Sequence, residues 1–530
     1  MPNLKIDGQE IPFEEGDTVI RAAWRAGIEI PHYCWHPGLS VAANCRMCLV
    51  EIKSGRRMDM PILKWDEKKQ EYVPDTKPKL QPACQMMAAE GMEVETKNEQ
   101  VVKAQSAVQE FLLLNHPVDC PICDQAGECK LQDYWLEHQA DLKRKQTEPV
   151  HKVKGVRFGP TIVYDGERCI MCTRCIRVCD ELVGDHVLDM RQRGNKNEIF
   201  LAPGRELDHG YTLMTEHVCP VGALTSRDFR FKARVWFLKS QSGVCAGCAT
   251  GCNTHVDYDP RYNRVYRLRP RDNMDVNRFW MCDDGMMTYK EVHENRVHVP
   301  MIGRGDDRDE VTTKQILRIA GRRLLEHDTS RIGVVLSAGH SSEDNFVLAR
   351  FAREVLGTDK LYLAANGGWE ADEVLRHRDN NPNRAGAMLA GAGELEAMDD
   401  MLAEISREEI DGVLVLGHAS AHGYEALLPI ADLRTVISLT ANTSPFSDVA
   451  NIVVPVSSWA EADGTFVNAK GMSQQFRKTI PAPGAIRPAW LTLLAIAEVM
   501  EKPLGISSLA EVRKALSPTK AAAGQEEARA

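Results

Sequence analysis

Alternating apolar and polar residues at the start of the chain predict a β-hairpin. Leu4 and Ile6 alternate with polar neighbours, and Asp7-Gly8 is a dipeptide typical of tight turns. The alternation resumes at Ile11 and Phe13. We therefore expect two short antiparallel strands near the N-terminus.

Two helices are predicted to follow. The first is short, with Asp17 or Thr18 as its N-cap and Gly27 after its last turn. The second runs from about residue 99 to 115 and ends at His116-Pro117. Its apolar residues recur at helical spacing and are expected to form one face: Val101, Ala104, Val108, Phe111 and Leu112.

Strands and helices alternate beyond about residue 310. Continuous apolar runs at 332–336, 412–416 and 435–439 are typical of strands buried in a parallel sheet. Ser341-Ser342 is positioned to cap a helix that Gly357 ends. The apolar stripe of this helix includes Val347, Phe351 and Val355. This half of the chain is therefore predicted to be an α/β domain.

Composition indicates a globular protein of several domains. At roughly 150 residues per domain, 530 residues predict about three to five units. Hydrophobic residues make up 43%, mean hydropathy is −0.32, and no apolar run is long enough to span a membrane. The N-terminus does not resemble a signal peptide, so we expect a cytoplasmic protein, with a disordered tail at 517–530. A net charge of −10 argues against non-specific nucleic-acid binding.

Cysteine usage divides the chain into a thiol-rich half and a thiol-free half. The sequence has 16 cysteines, and none follows Cys282. A reducing cytoplasm disfavours disulfides, and Cys-x-x-Cys spacing recurs. We therefore interpret the cysteines as ligands of metal ions or iron–sulfur clusters, in four groups.

The first group is Cys34, Cys45, Cys48 and Cys84. Three thiolates on one loop and a distant fourth are similar to plant-type [2Fe–2S] ligation, although the first gap is wider than in the plant pattern. Zinc is the competing interpretation, but zinc ribbons usually pair two Cys-x-x-Cys units. The nearby His32 and His36 are interpreted as supporting or surface residues rather than ligands.

The second group has only three cysteines, Cys120, Cys123 and Cys129. A [4Fe–4S] cluster on them needs a fourth donor, and His116 stands four residues before the first cysteine. We predict that His116 is this ligand; a purely structural histidine is the alternative. A neutral imidazole in place of a thiolate makes the site less anionic and should raise its reduction potential.

The third group is a run of four cysteines followed much later by Cys219-Pro220. Bacterial two-cluster ferredoxins use such a run twice, and each fourth cysteine ligates the other cluster. Two clusters would need more thiolates than are present here. The prediction is therefore one [4Fe–4S] cluster on Cys169, Cys172, Cys175 and Cys219. Cys179 is then a spare buried thiol; the alternative is that Cys179 replaces Cys219.

The fourth group is Cys245, Cys248, Cys252 and Cys282. It is suited to a third [4Fe–4S] cluster, with a four-cysteine zinc site as the alternative. Together with Cys179, the four groups account for all 16 cysteines. The predicted cofactors are therefore one [2Fe–2S] cluster and three [4Fe–4S] clusters.

The order and spacing of these groups resemble the large iron–sulfur subunit (the G subunit) of respiratory complex I, the NADH–quinone oxidoreductase. The most specific motifs are His116-Pro-Val-Asp-Cys-Pro-Ile-Cys-Asp and Cys219-Pro-Val-Gly-Ala-Leu. The cysteine-free half resembles a shortened molybdopterin oxidoreductase domain, and Glu461-Ala-Asp-Gly-Thr-Phe-Val-Asn468 is similar to a motif of that superfamily. The resemblance covers essentially the whole chain.

The resemblance implies a multidomain fold of α+β and α/β type. Its expected parts are a ferredoxin-like [2Fe–2S] β-grasp domain at 1–98, a [4Fe–4S] domain with one histidine and three cysteine ligands at 99–150, a bacterial-ferredoxin-like [4Fe–4S] domain at 151–240, a four-cysteine [4Fe–4S] domain at 241–300, and a degenerate molybdopterin oxidoreductase-like α/β domain at 301–516.

The resemblance also implies an oxidoreductase subunit that relays electrons from a flavoprotein, NADH-oxidising partner towards quinone. Such a subunit would contact other peripheral-arm subunits and lie on the cytoplasmic face of the inner membrane. The sequence has neither a Gly-x-Gly-x-x-Gly loop nor a P-loop, so we expect no NADH, flavin or ATP site and no catalytic residue. We also expect no molybdenum. The alternatives are a subunit of a soluble NAD-linked hydrogenase, a formate dehydrogenase with a working molybdenum site, and a multi-zinc scaffold.

Overall fold

The computed structural model describes residues 1–138, 148–393 and 395–516. The chain forms two compact units, Met1–Phe237 and Leu238–Ala530. The domain boundaries expected above divide the chain more finely than this and stay a prediction. The tail expected to be disordered lies outside the described residues.

The first unit begins with the predicted hairpin. Strands β1 (Asn3–Ile6) and β2 (Gln9–Pro12) are antiparallel. The turn residues Asp7 and Gly8 have φ values of 50° and 83°, the left-handed conformation that such a turn requires. The predicted helix follows as α1 (Val19–Arg25). The pattern of the first residues therefore predicted these elements correctly.

A small sheet completes the first cysteine-containing domain. Its further strands are β3 (Leu49–Ser54), β6 (Gln81–Pro82) and β7 (Glu93–Glu95). Between β3 and β6 the chain forms a separate hairpin of β4 (Asp59–Asp66) and β5 (Glu71–Pro78). The sheet has the order β2-β1-β7-β3-β6, and β1 is parallel to β7, whereas β4 and β5 pair only with each other. Helix α1 packs on this sheet through its buried apolar residues.

Helix α2 (Glu99–Leu113) occupies the predicted position, but its buried face differs from the predicted stripe. Val101, Gln105 and Gln109 are buried, whereas Phe111 is 73% exposed. The assignment of Phe111 to the packed face was wrong, because the two glutamines fill that face. Each glutamine satisfies its side-chain amide by donating to a backbone carbonyl.

Short elements make up the rest of the first unit. They are α3 (Lys130–His138), β8 (Val156–Arg157), β9 (Ile162–Tyr164), α4 (Arg174–Arg177), β10 (Leu188–Arg191), β11 (Glu198–Leu201), α5 (Thr212–His217) and β12 (Leu224–Ser226). Strands β12, β9 and β8 form an antiparallel sheet, and β10 pairs with β11. A π-helical turn, Val178–Val183, continues α4.

The second unit begins with a three-stranded antiparallel sheet and a short helix. These elements are β13 (Lys239–Val244), β14 (Asn253–Asp259), β15 (Arg264–Pro270) and α6 (Asp283–Met287). They surround the fourth cysteine group.

An eight-stranded sheet organises the cysteine-free remainder. Its strands and helices, with one separate hairpin, are β16 (Met301–Ile302), β17 (Asp309–Glu310), α7 (Thr313–Leu325), β18 (Ile332–Ser337), α8 (Ser342–Arg350), β19 (Leu361–Ala364), α9 (Arg384–Ala390), β20 (Glu396–Ala397), α10 (Met398–Ser406), β21 (Gly412–Leu416), α11 (Leu428–Ala431), β22 (Thr435–Thr440), α12 (Pro445–Val449), β23 (Ile452–Pro455), β24 (Gly464–Val467), β25 (Ser473–Phe476), α13 (Ala489–Val499) and α14 (Leu509–Leu516).

The sheet has the order β17-β16-β23-β22-β21-β18-β19-β20 and is parallel from β23 to β20. The three strands predicted from apolar runs are β18, β21 and β22 at its centre. One core contains α7, α8, α13 and α14, and a second contains α10, α11 and α12, so helices cover both faces. Ser341 caps α8 as predicted. No helix within the described residues is long and apolar enough to cross a membrane.

Candidate metal centres

The first cysteine group converges at the sheet of the first unit. Cys34, Cys48 and Cys84 are buried and Cys45 is partly buried. The backbone N–H of Cys34 donates to Sγ of Cys45 at 3.5 Å. A side-chain hydrogen bond with Cys45 lowers the pKa of Cys34, and one with Cys84 raises the pKa of Cys48. The four predicted ligands therefore form two contacting pairs.

The two histidines near this group are held by backbone contacts. Nδ1 of His32 lies 2.7 Å from the carbonyl oxygen of Ile30, and Nδ1 of His36 accepts from the N–H of Gly38 at 3.1 Å. Burial lowers the pKa of both rings, to about 4 for His32. Both contacts suit the supporting role expected for these residues.

The second group lies between α2 and α3. Cys120 is exposed, and Cys123 and Cys129 are partly buried. Burial raises the pKa of Cys129 to about 11, and the neighbouring Cys123 and Cys120 thiolates contribute to the rise. Burial, followed by the charge of Arg168, lowers the pKa of His116 to about 4. The ring is therefore neutral near pH 7, the form in which imidazole binds metal ions.

The loop of the third group packs directly against the second. A Cβ on Gly222 would lie only 2.3 Å from Sγ of Cys123. Gly222 belongs to the motif that starts at Cys219, so the absence of a side chain there leaves space for a thiol of the other group. The N–H of Lys130, at the start of α3, also donates to the carbonyl of Pro220 at 3.0 Å.

A small cavity marks the third group. Four cysteines line it together with apolar side chains: Cys169, Cys172, Cys175 and Cys219. Burial raises the pKa of Cys169, Cys172 and Cys219 to about 11. The structure thus brings the predicted set together around one enclosed space.

Cys179 is fully buried but does not line this cavity. Its Sγ lies 3.5 Å from Nε2 of His209. Burial, followed by the charges of Asp180 and Asp185, raises its pKa to about 12. Of the two cysteines, Cys219 lines the cavity and Cys179 does not.

The fourth group is formed by buried cysteines, with two glycines that approach them closely. The N–H of Gly247 donates to Sγ of Cys245, and the N–H of Gly285 donates to Sγ of Cys282, each at 3.3 Å. A Cβ on Gly285 would lie 3.1 Å from Sγ of Cys245 and 3.3 Å from Sγ of Cys282. Backbone N–H groups directed at sulfur are what an anionic thiolate site requires.

These four donor sets are soft and free of competing disulfides, and all their cysteines except the exposed Cys120 are buried or partly buried, so their chemistry suits iron–sulfur clusters. Within residues 1–138, 148–393 and 395–516, no three His, Cys, Asp or Glu side chains are grouped as they would be around a single metal ion.

Sequence reasoning missed a cavity at the carboxyl ends of the parallel strands. Its volume is about 70 Å³, and its lining includes His340, His418, Ser457 and Ser458, which follow β18, β21 and β23. Nδ1 of His418 and the hydroxyls of both serines are buried and have no hydrogen-bond partner among the described residues. No pattern in the sequence signals this cavity, because its residues come from separate loops.

The motif from Glu461 to Asn468 serves packing. Glu461 forms an ion pair with Arg296 at 2.7 Å, and both side chains are almost fully buried. Thr465 donates its hydroxyl to Glu343 at 2.7 Å. Asn468 accepts from two backbone N–H groups through Oδ1. The hydrogen-bonding groups of the motif are therefore used within the fold itself.

Comparison with known families defines the class of the protein. Family models match a 2Fe-2S iron-sulfur cluster binding domain at residues 2–99, an NADH-ubiquinone oxidoreductase-G iron-sulfur binding region at 105–144, the ferredoxin-like domain of NADH-quinone oxidoreductase subunit 3 at 159–225, and molybdopterin oxidoreductase at 361–499. The chain is therefore a multidomain iron–sulfur protein with a C-terminal molybdopterin oxidoreductase domain, and the expected fold class is confirmed.

Individual relatives are more specific. The G subunit of NADH-quinone oxidoreductase from Streptomyces coelicolor is 33% identical over 380 residues, which are 71% of this chain and 42% of that protein. The NADH-ubiquinone oxidoreductase 75 kDa subunit of Reclinomonas americana is 32% identical over 390 residues, 72% of this chain and 53% of that protein. In its matched region the chain is a homologue of the NADH-quinone oxidoreductase G subunit, which confirms the resemblance. The chain spans about half the length of these relatives.

Among solved structures, an NAD+-reducing [NiFe]-hydrogenase matches 44% of this chain and 91% of its own, with 27% identity and a TM-score of 0.36.

Proposed function

We propose that the chain is the iron–sulfur electron-relay subunit of an NADH–quinone oxidoreductase. It passes electrons from a flavoprotein, NADH-oxidising partner towards quinone and lies peripherally on the cytoplasmic face of the membrane, beside other subunits of the complex. The observation that carries this proposal is the direct contact between neighbouring cysteine groups of the first unit. Iron–sulfur clusters, when bound, supply one-electron carriers.

The proposed ligands are those that the spacing predicts. Cys34, Cys45, Cys48 and Cys84 hold a [2Fe–2S] cluster. Three [4Fe–4S] clusters are held by His116 with Cys120, Cys123 and Cys129; by Cys169, Cys172, Cys175 and Cys219; and by Cys245, Cys248, Cys252 and Cys282. The cavity lined by the third set supports that assignment over one with Cys179.

Contacts within the first unit support a spatial order that differs from the sequence order. Nη2 of Arg177 donates to the carbonyl of Cys34 at 2.6 Å and to that of Cys172 at 3.2 Å. The first and third groups are thus linked through one guanidinium. Gly222 links the third group to Cys123 of the second. We place the third site between the other two in the relay.

An ion pair strengthens the second link. Nη2 of Arg168 lies 2.9 Å from Oδ2 of Asp119, and Arg168 is almost fully buried. Arg168 immediately precedes Cys169, and Asp119 immediately precedes Cys120. This ion pair therefore connects the loops of the two groups.

We further propose that the C-terminal domain binds no molybdenum and acts as a folded platform. The cavity at the carboxyl ends of its parallel strands is small, with a volume of about 70 Å³. The side chains of the Glu461–Asn468 motif are engaged in packing contacts. No cysteine after Cys282 is available as a metal ligand.

The test is anaerobic reduction of the chain by NADH, with and without an NADH-oxidising flavoprotein subunit, followed by freeze-quench EPR. NADH alone should reduce nothing, and NADH with the flavoprotein should reduce the clusters. In Cys172→Ser, only one of the first and second sites should still be reduced rapidly, with Cys179→Ser as the matched control. Rapid reduction of both sites in Cys172→Ser would contradict the proposed order, and reduction by NADH alone would contradict the relay role.

A further inference from the structure

Two buried arginines stand on the short helix α4, directly beside the third cysteine group. Arg174 is 9% exposed and Arg177 is 8% exposed. No carboxylate in the described parts of the chain forms an ion pair with either residue, although most other buried charges of this unit are paired. Arginine stays protonated in proteins, so these are two buried positive charges without a carboxylate partner.

The hydrogen-bond partners of both arginines are backbone carbonyls of the first and third groups. Arg177 donates to the carbonyls of the proposed ligands Cys34 and Cys172, and through Nη1 to that of Ser40 at 2.5 Å. Arg174 donates to the carbonyl of Trp35, which follows Cys34. Its Nη1 also donates to the carbonyl of Val218, which precedes Cys219, at 3.2 Å. Each guanidinium therefore connects the loops of the same two sites.

Carbonyl dipoles alone do not neutralise a buried cation, and an unpaired buried charge is costly. The cysteines proposed as ligands of the two sites lie on the loops that both guanidinium groups contact. Thiolate-ligated clusters would supply the missing negative charge on both sides.

We propose that Arg174 and Arg177 are shared counter-charges of the first and third sites, and that they set the reduction potentials of both. The inference rests on the ligand assignment of the proposed function. Reduction adds one electron, hence one negative charge, to a site, and a fixed neighbouring cation stabilises the reduced form. The arginines take up no proton in this step because they are protonated throughout. They are not ligands, and they act on the two sites through their positive charge.

Potentiometric EPR titration of the chain measures the reduction potential of each site and so tests the role of the arginine charges. Arg177→Gln is compared with Arg177→Lys. Arg177→Gln removes the charge but keeps an amide donor, and Arg177→Lys keeps the charge but lacks the planar guanidinium whose two terminal nitrogens contact the three carbonyls. Arg205→Gln is the control, because Arg205 is a half-exposed arginine of the same unit that pairs with Asp185 at 2.8 Å.

In Arg177→Gln, the equilibrium constants for reduction of the first and third sites should fall by about tenfold each, 59 mV for a one-electron couple. The second and fourth sites should not change, Arg177→Lys should recover most of the loss, and Arg205→Gln should behave as wild type. If Arg177→Gln does not assemble, Arg174→Gln should give the same paired shift, because its carbonyl partners belong to non-ligand residues.

Three outcomes would overturn the inference. They are reduction potentials that are unchanged in Arg177→Gln, potentials that fall equally in Arg177→Lys and Arg177→Gln, and a shift in the potential of the third site alone. A wild-type chain without the cluster signals would instead overturn the proposed function, so the two failures are distinguishable.

Discussion

Replacing Gly222 with alanine should selectively damage the second site. The new methyl carbon would lie 2.3 Å from Sγ of Cys123. Non-bonded heavy atoms normally stay about 3.5 Å or more apart, so the sulfur of Cys123 would have to move by about 1.2 Å. Metal–ligand distances tolerate only about 0.2 Å of change. The backbone presents no obstacle, since Gly222 is not among the residues with positive φ. The clash is therefore with side chains of the second group's loop, first Sγ of Cys123 and then Cβ of Gln125 at 3.0 Å.

We expect Gly222→Ala to lose the EPR signal of the second site and about four irons per chain, while the other three sites are kept. Overpacking should also lower the free energy of unfolding by about 1–3 kcal/mol. The control is Gly210→Ala in the same unit, where an added Cβ meets nothing within 4 Å. A fully occupied second site with its wild-type potential in Gly222→Ala would refute the close packing of these two loops.

Three further predictions follow from the donor sets. His116→Cys should keep the second cluster at a lower potential, whereas His116→Ala should lose or destabilise it; an unchanged potential in His116→Cys, measured by redox titration, would show that His116 is not a ligand. Cys219→Ser should abolish the EPR signal of the third site and Cys179→Ser should not, and the opposite outcome would reverse the assignment. Metal analysis of the assembled complex should find no molybdenum or tungsten, and about one atom of either per chain would instead favour a molybdenum enzyme.

Local sequence patterns predicted two kinds of element. The first is fixed by short-range backbone chemistry, and the second has a strongly apolar sequence. The hairpin at Asp7-Gly8 and the cap at Ser341 follow from short-range backbone chemistry. The central strands of the parallel sheet are buried along their whole length, so their apolar runs are unambiguous. Helix α2 was predicted in position but not in orientation, since Gln105 and Gln109 fill its buried face through hydrogen bonds that hydrophobic periodicity does not represent.

The hairpin of β4 and β5 was not predicted. Its residues Leu63 and Trp65 are 67% and 45% exposed, so no buried face imposes a clear alternation. Pro61 and Pro74 also argue against strands when the sequence is read alone.

The proposed ligands were identifiable because most of them occur at short, fixed spacings. The spatial relations between the groups were not. Arg177 contacts the carbonyl of Cys34 across 143 residues of sequence, and Gly222 approaches Cys123 from a different loop. These contacts depend on tertiary packing, for which one sequence contains no periodic signal.

Iron and acid-labile sulfide analysis of the anaerobically purified chain, with EPR of the reduced protein, tests the four-cluster proposal most directly. Four clusters require about 14 irons per chain, two in one [2Fe–2S] cluster and four in each of three [4Fe–4S] clusters, without stoichiometric zinc. About 18 irons would mean that the third group holds two clusters. One zinc per chain in place of iron, or a colourless protein without EPR signals, would contradict the four-cluster proposal.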